Sequence, residues 1–223
     1  MPSSNPPEVI MKLLAINGSP RKAMNTAALL EKAAAGARTA GAEAELIHLR
    51  DYEYGGCIGC MYCKLIGGSS YGRCVRKDGL TEVLDKAHQA DVLILGSPIY
   101  FMTESAYMRA FQERFCFQYY LYSKVKPPLS PPKKAVALLY TMNISEEQLK
   151  TSPAYGNIVF SQEVLTRLFG SCEIFLCTDT RQVKDYSKYE MDVFDPEAKA
   201  RRHEEVFPID LEKAFQLGAR LAA

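Results

Sequence analysis

No run among the 223 residues is apolar over the length of a membrane-spanning helix, so a helical anchor in a bilayer is not expected. Neither sign of charge is in excess. Lys and Arg number 27 against 26 Asp and Glu, a formal net charge of +1, and that balance favours neither nucleic acid nor an anionic membrane as partner. Histidine is scarce: His48, His88 and His203 are the full set. None has a partner at metal-ligand spacing, so packing or solvation accounts for each. Two phosphate signatures are missing as well. There is no Gly-x4-Gly-Lys-Ser/Thr and no Gly-x-Gly-x-x-Gly, so neither NTP hydrolysis nor Rossmann dinucleotide binding is signalled. The opening MPSSNPPEVI lacks the basic flank and apolar stretch of a secretory signal. It reads as a short disordered lead-in, and the expected compartment is the cytoplasm, where thiols stay reduced.

What is present is an ordinary globular balance, 48% apolar and 24% charged. The length suits one domain over residues 1–223 with elaborated loops, large enough to bury roughly 70% of its unfolded surface. Seven cysteines stand out against a reducing compartment. Cys57, Cys60, Cys63 and Cys74 fall within 18 residues of one another, which points to metal binding or redox chemistry rather than a disulfide framework. This cluster forms an insertion at about 55–76. Cys116, Cys172 and Cys177 lie in apolar stretches and read as small buried hydrophobes.

Strands and helices alternate along the chain, the pattern of a parallel sheet covered on both faces. Strands are expected at Lys12–Ile16, Glu43–Leu49, Asp91–Leu95, Ala135–Tyr140 and Cys172–Cys177. Helical spacing marks Asn25–Thr39, closed by Gly41, and the stretch around Leu80–Ala87. A long aromatic helix is expected over about Glu104–Tyr120, another around Val164–Phe169 stopped by Gly170, and a last one from about Pro208. The proline-rich Lys124–Lys134 reads as a surface connection. Open parallel sheets bind ligands beyond the carboxyl ends of their strands, which nominates the loops after Ile16, Leu95 and Tyr140.

The first of these loops, Asn17-Gly-Ser-Pro-Arg-Lys-Ala-Met-Asn-Thr26, offers donors from Ser19, Arg21, Asn25 and Thr26 in front of a helix N-terminus, where a phosphate fits. A plain helix cap with polar neighbours is the competing reading. The second, Gly96-Ser-Pro-Ile-Tyr-Phe-Met-Thr-Glu-Ser105, puts Pro98, Ile99, Tyr100 and Phe101 where a flat heterocycle needs a wall. Simple packing under the next helix is the alternative.

Taken together, Gly18-Ser-Pro-Arg-Lys-x-x-Asn-Thr26, Cys57-Ile-Gly-Cys60, Ser97-Pro-Ile-Tyr100 and the tail from Arg202 to Gly218 resemble the NAD(P)H-dependent FMN reductase and iron–sulfur flavoprotein group. The resemblance implies a flavodoxin-like, doubly wound, five-stranded parallel sheet in the order 2-1-3-4-5 with helices on both faces. It implies FMN with its phosphate at Ser19, Arg21, Asn25 and Thr26, its ring against Pro98, Ile99, Tyr100 and Phe101, and Thr141, Met142 and Asn143 as a third wall. It implies NAD(P)H as electron donor and a homo-oligomer, dimer or tetramer, for which the surplus aromatics of the long helix offer a surface. Arg109 and Glu113 stand where the group often carries Lys and Asp, with the charge signs kept.

Cys57-x2-Cys60-x2-Cys63 resembles the compact ligand run of a [4Fe–4S] cluster. Structural zinc sites more often pair two separated knuckles. The fourth ligand would be Cys74, separated from Cys63 by ten residues, a longer gap than cluster-bearing relatives usually have. The insert rich in Gly and Ser could close it at modest entropic cost. A cluster, bare thiols and zinc are the three outcomes in that order of preference. Function divides in the same way: an NAD(P)H–FMN oxidoreductase, an electron carrier serving a ferredoxin-like partner, or a zinc-stabilised binding module.

Overall fold

The structure, a computed structural model, describes residues 10–129 and 133–223. The expected lead-in and the middle of the proline-rich connection lie outside the described residues. Five strands form a parallel path: β1 (Lys12–Asn17), β2 (Glu43–His48), β3 (Val92–Tyr100), β5 (Ala135–Thr141) and β6 (Glu173–Cys177), in the order β2-β1-β3-β5-β6. The sequence reading expected five strands; the sheet has six. β4 (Thr103–Glu104) folds back antiparallel on β3, pairing Ile99 with Glu104 and Tyr100 with Thr103. Apart from this added edge, the path is the α/β flavodoxin-like one.

Helices cover both faces: α1 (Asn25–Thr39), α2 (Leu80–Gln89), α3 (Ala106–Phe117), α4 (Glu146–Lys150), α5 (Pro153–Phe169), α6 (Pro196–Glu205) and α7 (Phe207–Leu221). The aromatic helix is shorter than expected at both ends. Glu104 belongs to β4, and Ser105 caps the helix by accepting the Met108 N–H at 3.3 Å. Strand alternation splits the core in two. Leu14, Ile16, Leu93 and Leu95 face α2, α3 and α5, whereas Leu13, Ala15, Val92 and Ile94 face α1 and α7. Because both faces are covered, β1 and β3 read as continuous apolar runs rather than alternating ones.

Register fixes the ligand edge. Asn17 stands opposite both His48 and Gly96, and Pro98 stands opposite Thr141. The carboxyl ends of β1, β3 and β5 are therefore level, and their loops meet.

On the far face, α1 and α7 approach until backbones touch. A Cβ at Gly218 would lie 1.8 Å from the Ala33 carbonyl oxygen, and one at Gly36 would lie 1.9 Å from that of Phe215. Neither obstacle is a side chain that can swing away. Gly218→Ala gains roughly 1 kcal/mol of helix propensity but overpacks a rigid contact, at about 1–3 kcal/mol or more. We expect a net loss read as a melting temperature lower by about 2–8 °C. A variant as stable as the parent would show that the helices can separate at no cost.

Candidate functional site

The three loops meet in a cleft lined by Ser19, Arg21, Asn25 and Thr26 from the first, Pro98, Ile99 and Tyr100 from the second, and Thr141, Met142 and Asn143 from the third. The first loop is held by its own polar groups. Asn17 Oδ1 accepts the Ser19 N–H at 2.9 Å, and Ser19 Oγ accepts the Arg21 N–H at 3.1 Å. Thr26 and Thr141 are buried with their hydroxyls 2.8 Å apart, joining the first loop to the third. The competing cap reading has no support at α1. Its N-cap is Met24, which makes no side-chain cap, and no acidic residue occupies the first turn. The leading N–H groups and the positive end of the helix are left for an external anion.

A fourth segment, unforeseen from sequence, closes over this loop. The Arg21 guanidinium donates to the Gln182 carbonyl at 2.5 Å, and the Asn25 amide donates to the Arg181 carbonyl at 3.0 Å. Thr180 and Gln182 line the cleft. The open cleft these four segments line has a volume of about 70 Å³. Lys199 of α6, itself buried, donates to the Asn143 carbonyl at 2.5 Å and pairs with Asp179, holding the third loop and the strap together.

Phe101 does not line the cleft. It and Met102 form the two-residue turn between β3 and β4, with φ of 46° and 70°, and its side chain is fully exposed. Two positive φ values match a tight hairpin turn, which points the ring away from the β3 wall. The turn is tied on one side by the Asn157 amide, which donates to the Met102 carbonyl. Beneath it, Glu104 is buried without a paired cation among the described residues. Its carboxylate accepts from the hydroxyls of Tyr140 (2.6 Å), Ser161 (2.8 Å) and Thr103 (2.8 Å). Burial pushes its pKa up, and hydrogen bonds from these hydroxyls and its own backbone N–H more than reverse that, leaving it below the ordinary carboxylate value. The Tyr140 phenol is raised, chiefly by burial and then by the adjacent carboxylate.

The four clustered cysteines line one pocket beside the end of α3, with Arg76, Arg114 and Gln118. Cys57 and Cys60 are exposed, Cys74 half-buried and Cys63 buried. Left-handed backbone at Gly59 (φ 66°) and Met61 (φ 62°) coils the Cys57–Cys63 run around that pocket. Lys64 Nζ lies 3.3 Å from Cys63 Sγ. Among the described residues, no three His, Cys, Asp or Glu side chains converge on a single metal-ion position. Of the other three thiols, Cys172 and Cys177 are buried as expected, whereas Cys116 is only half-buried and lines a neighbouring cavity with Cys57. Burial pushes Cys116, Cys172 and Cys177 up to about 12, so they are protonated at neutral pH.

Residues 11–147, more than half of the chain, match the family described as NADPH-dependent FMN reductase. The chain belongs to that family. Over 91 residues it is 48% identical to an iron-sulfur flavoprotein of Archaeoglobus fulgidus, covering 41% of this chain and 42% of that relative. Over 104 residues it is 40% identical to an iron-sulfur flavoprotein of Methanocaldococcus jannaschii, covering 47% and 51%. The match thus spans about half the length of these curated relatives. An NAD(P)H:quinone oxidoreductase from Methanothermobacter marburgensis shares the fold at TM-score 0.68 and 16% identity, over 96% of this chain and 100% of that one.

The cleft of this FMN reductase family member suits a phosphorylated planar ring on its own chemistry. The uncapped helix and Arg21 could meet a phosphate, while Ile99 and Tyr100 offer an apolar edge. Gln182 Oε1 is buried with no hydrogen-bond donor among the described residues, an unpaired acceptor that a ring N–H would satisfy. The cysteine pocket also suits an iron–sulfur group: its donor set is all thiol, and cationic N–H groups surround it. The histidines have the ordinary roles expected of them. His88 stacks on Tyr119 and shares a 2.8 Å hydrogen bond with its hydroxyl, and His203 stacks on Phe207. His48 Nδ1 is 2.9 Å from the Asn17 amide.

Proposed function

We propose that this flavin-dependent oxidoreductase takes electrons from NAD(P)H at the cleft formed by the β1, β3 and β5 loops and passes them on through the cysteine pocket. The single observation that carries the reading is the uncapped start of α1 facing Tyr100 across one cleft, in a member of this family. Ser19, Arg21, Asn25 and Thr26 would hold the FMN phosphate, Pro98, Ile99 and Tyr100 the ring, and Thr141, Met142 and Asn143 the far side. Cys57, Cys60, Cys63 and Cys74 would hold a [4Fe–4S] cluster. When bound, the two groups supply hydride acceptance and single-electron transfer.

The chain's own part is binding, orientation and exclusion of water. The hydroxyls around Glu104 stabilise its carboxylate and anchor the β3–β4 turn that ends the ring wall. Arg21 and the α1 N-terminus neutralise the phosphate. The Arg181–Gln182 carbonyls occupy those donors in its place and must give them up for it to enter. No side chain is required to move a proton, and none is assigned that role. Assembly as a homodimer or homotetramer and a cytoplasmic setting are part of the same reading.

A second reading, a carrier for a ferredoxin-like partner without its own small-molecule substrate, draws on the surface around the cysteines. Ile58, Met61, Tyr62, Leu65 and Ile66 are all exposed there, more apolar surface than a loop needs for its own packing. Steady-state oxidation of NADH and NADPH by the purified protein separates the two: negligible turnover beside rapid reduction by ferredoxin selects the carrier. For the groups themselves, anaerobic purification should give one flavin and about four irons with matching sulfide per chain. Cys60→Ser should lose most of the iron and keep the flavin. Stoichiometric zinc without flavin would discard both readings.

A further inference from the structure

We infer that Arg114 and Gln118, at the end of α3, are positioning residues of the cysteine pocket: they pin Cys74 across the gap after Cys63 and aim N–H groups at the sulfurs gathered there. The inference rests on the cysteine reading proposed above and deepens it. Its starting point is the ten-residue insert, which closes cheaply but leaves Cys74 free to wander unless something holds it.

The holding contacts come from α3. Gln118 Oε1 accepts the Cys74 N–H at 3.0 Å. Arg114 is buried, and its guanidinium ties both sides of the insertion at once. It donates to the Gly55 carbonyl at 3.3 Å, to the Arg76 carbonyl at 3.0 Å, and to both Asp78 oxygens at 2.8 and 2.7 Å. Arg76 closes the ring by donating to the Gly56 carbonyl at 2.9 Å.

A staple alone leaves something unexplained. Among the described residues Arg114 Nε and Gln118 Nε2 are buried donors with no partner, and both residues line the pocket that the four cysteines share. Buried N–H groups are costly to leave unpaired. The acceptors within that pocket's chemistry are sulfurs, and N–H donors to sulfur raise the potential of an anionic cluster. Neighbouring cations act in the same direction.

Gln118→Leu and Arg114→Lys test the two roles separately from the reading beneath them. In the metal-free protein, Gln118→Leu should speed hydrogen exchange at the Cys74 amide at least tenfold. Arg114→Lys, which keeps the charge but loses the fork, should do the same across residues 74–78. In the reconstituted protein both should speed iron loss to a chelator. Both should also lower the potential of the cluster that remains by at least a tenfold change in the reduced-to-oxidised ratio, about 59 mV. Full iron and sulfide with parental potentials in both variants would overturn this inference and leave the cluster reading standing. Parental protein that takes up no iron and sulfide on anaerobic reconstitution would overturn both.

Discussion

Replacing Arg21 and Thr26 together by alanine should weaken FMN binding by roughly 30- to 4,000-fold while leaving riboflavin binding close to that of the parent. The estimate comes from competing hydrogen bonds. Charge-assisted contacts to a phosphate are worth about 1.5–3 kcal/mol each, so the pair accounts for about 3–6 kcal/mol. Against this, Arg21 already donates to the Gln182 carbonyl. That exposed bond to an uncharged acceptor is worth about 0.5–1.5 kcal/mol and is surrendered when phosphate arrives. The charged contact wins, with a net loss in the double variant of about 2–5 kcal/mol at 1.4 kcal/mol per tenfold. Fluorescence titration at two salt concentrations checks it, because the charge contribution must shrink as salt rises. A change of less than threefold, or an equal loss for riboflavin, would mean that the phosphate does not sit at the start of α1.

How much of this site was legible in the sequence depends on how local its signals are. Ser19, Arg21, Asn25 and Thr26 follow a buried strand directly and open a helix, so chain order alone placed them beyond a carboxyl edge. Ile99 and Tyr100 were read as loop, yet they end β3; the wall is stiffer than a loop because the ladder continues through it. The turn that follows was hidden because Phe101–Met102 carries none of the Gly or Asn chemistry that announces two positive φ values. Tertiary contacts pay for that strain of roughly 1–3 kcal/mol per residue, and such contacts have no local sequence mark. The strap at Thr180 and Gln182 was missed for a related reason. Its bonds to Arg21 and Asn25 span about 160 positions, and nothing in the run from Asp179 to Gln182 distinguishes it from any polar loop. The Asp-Pro before α6 was a usable signal: Asp195 accepts from the Glu197 and Ala198 N–H groups, a helix start of the ordinary kind.

The buried carboxylate at Glu104 should prove the most sensitive single position for stability near the cleft. Glu104→Leu removes the one acceptor shared by Tyr140 and Ser161 and strands two hydroxyls away from water. Each unpaired donor costs about 1–3 kcal/mol, and the apolar gain from leucine returns at most about half of that sum. We expect a loss of about 2–4 kcal/mol, with weaker FMN binding because the β3–β4 turn loses its anchor. Glu104→Gln keeps an acceptor oxygen and sacrifices only the charge, so its loss should be about 1–2 kcal/mol. The pH dependence identifies the cause. The carboxyl is held below its ordinary value, so the unfolded chain binds the proton more readily. Its stabilisation is therefore complete above the unfolded carboxyl pKa of about 4.3 and disappears as pH falls through the lower folded value. Urea midpoints for the parent should drop more steeply below pH 4.3 than those of Glu104→Gln, which has no proton to take up. Parallel acid limbs in the two proteins would mean that the group folds protonated, and that the three hydroxyls are not the source of its stability.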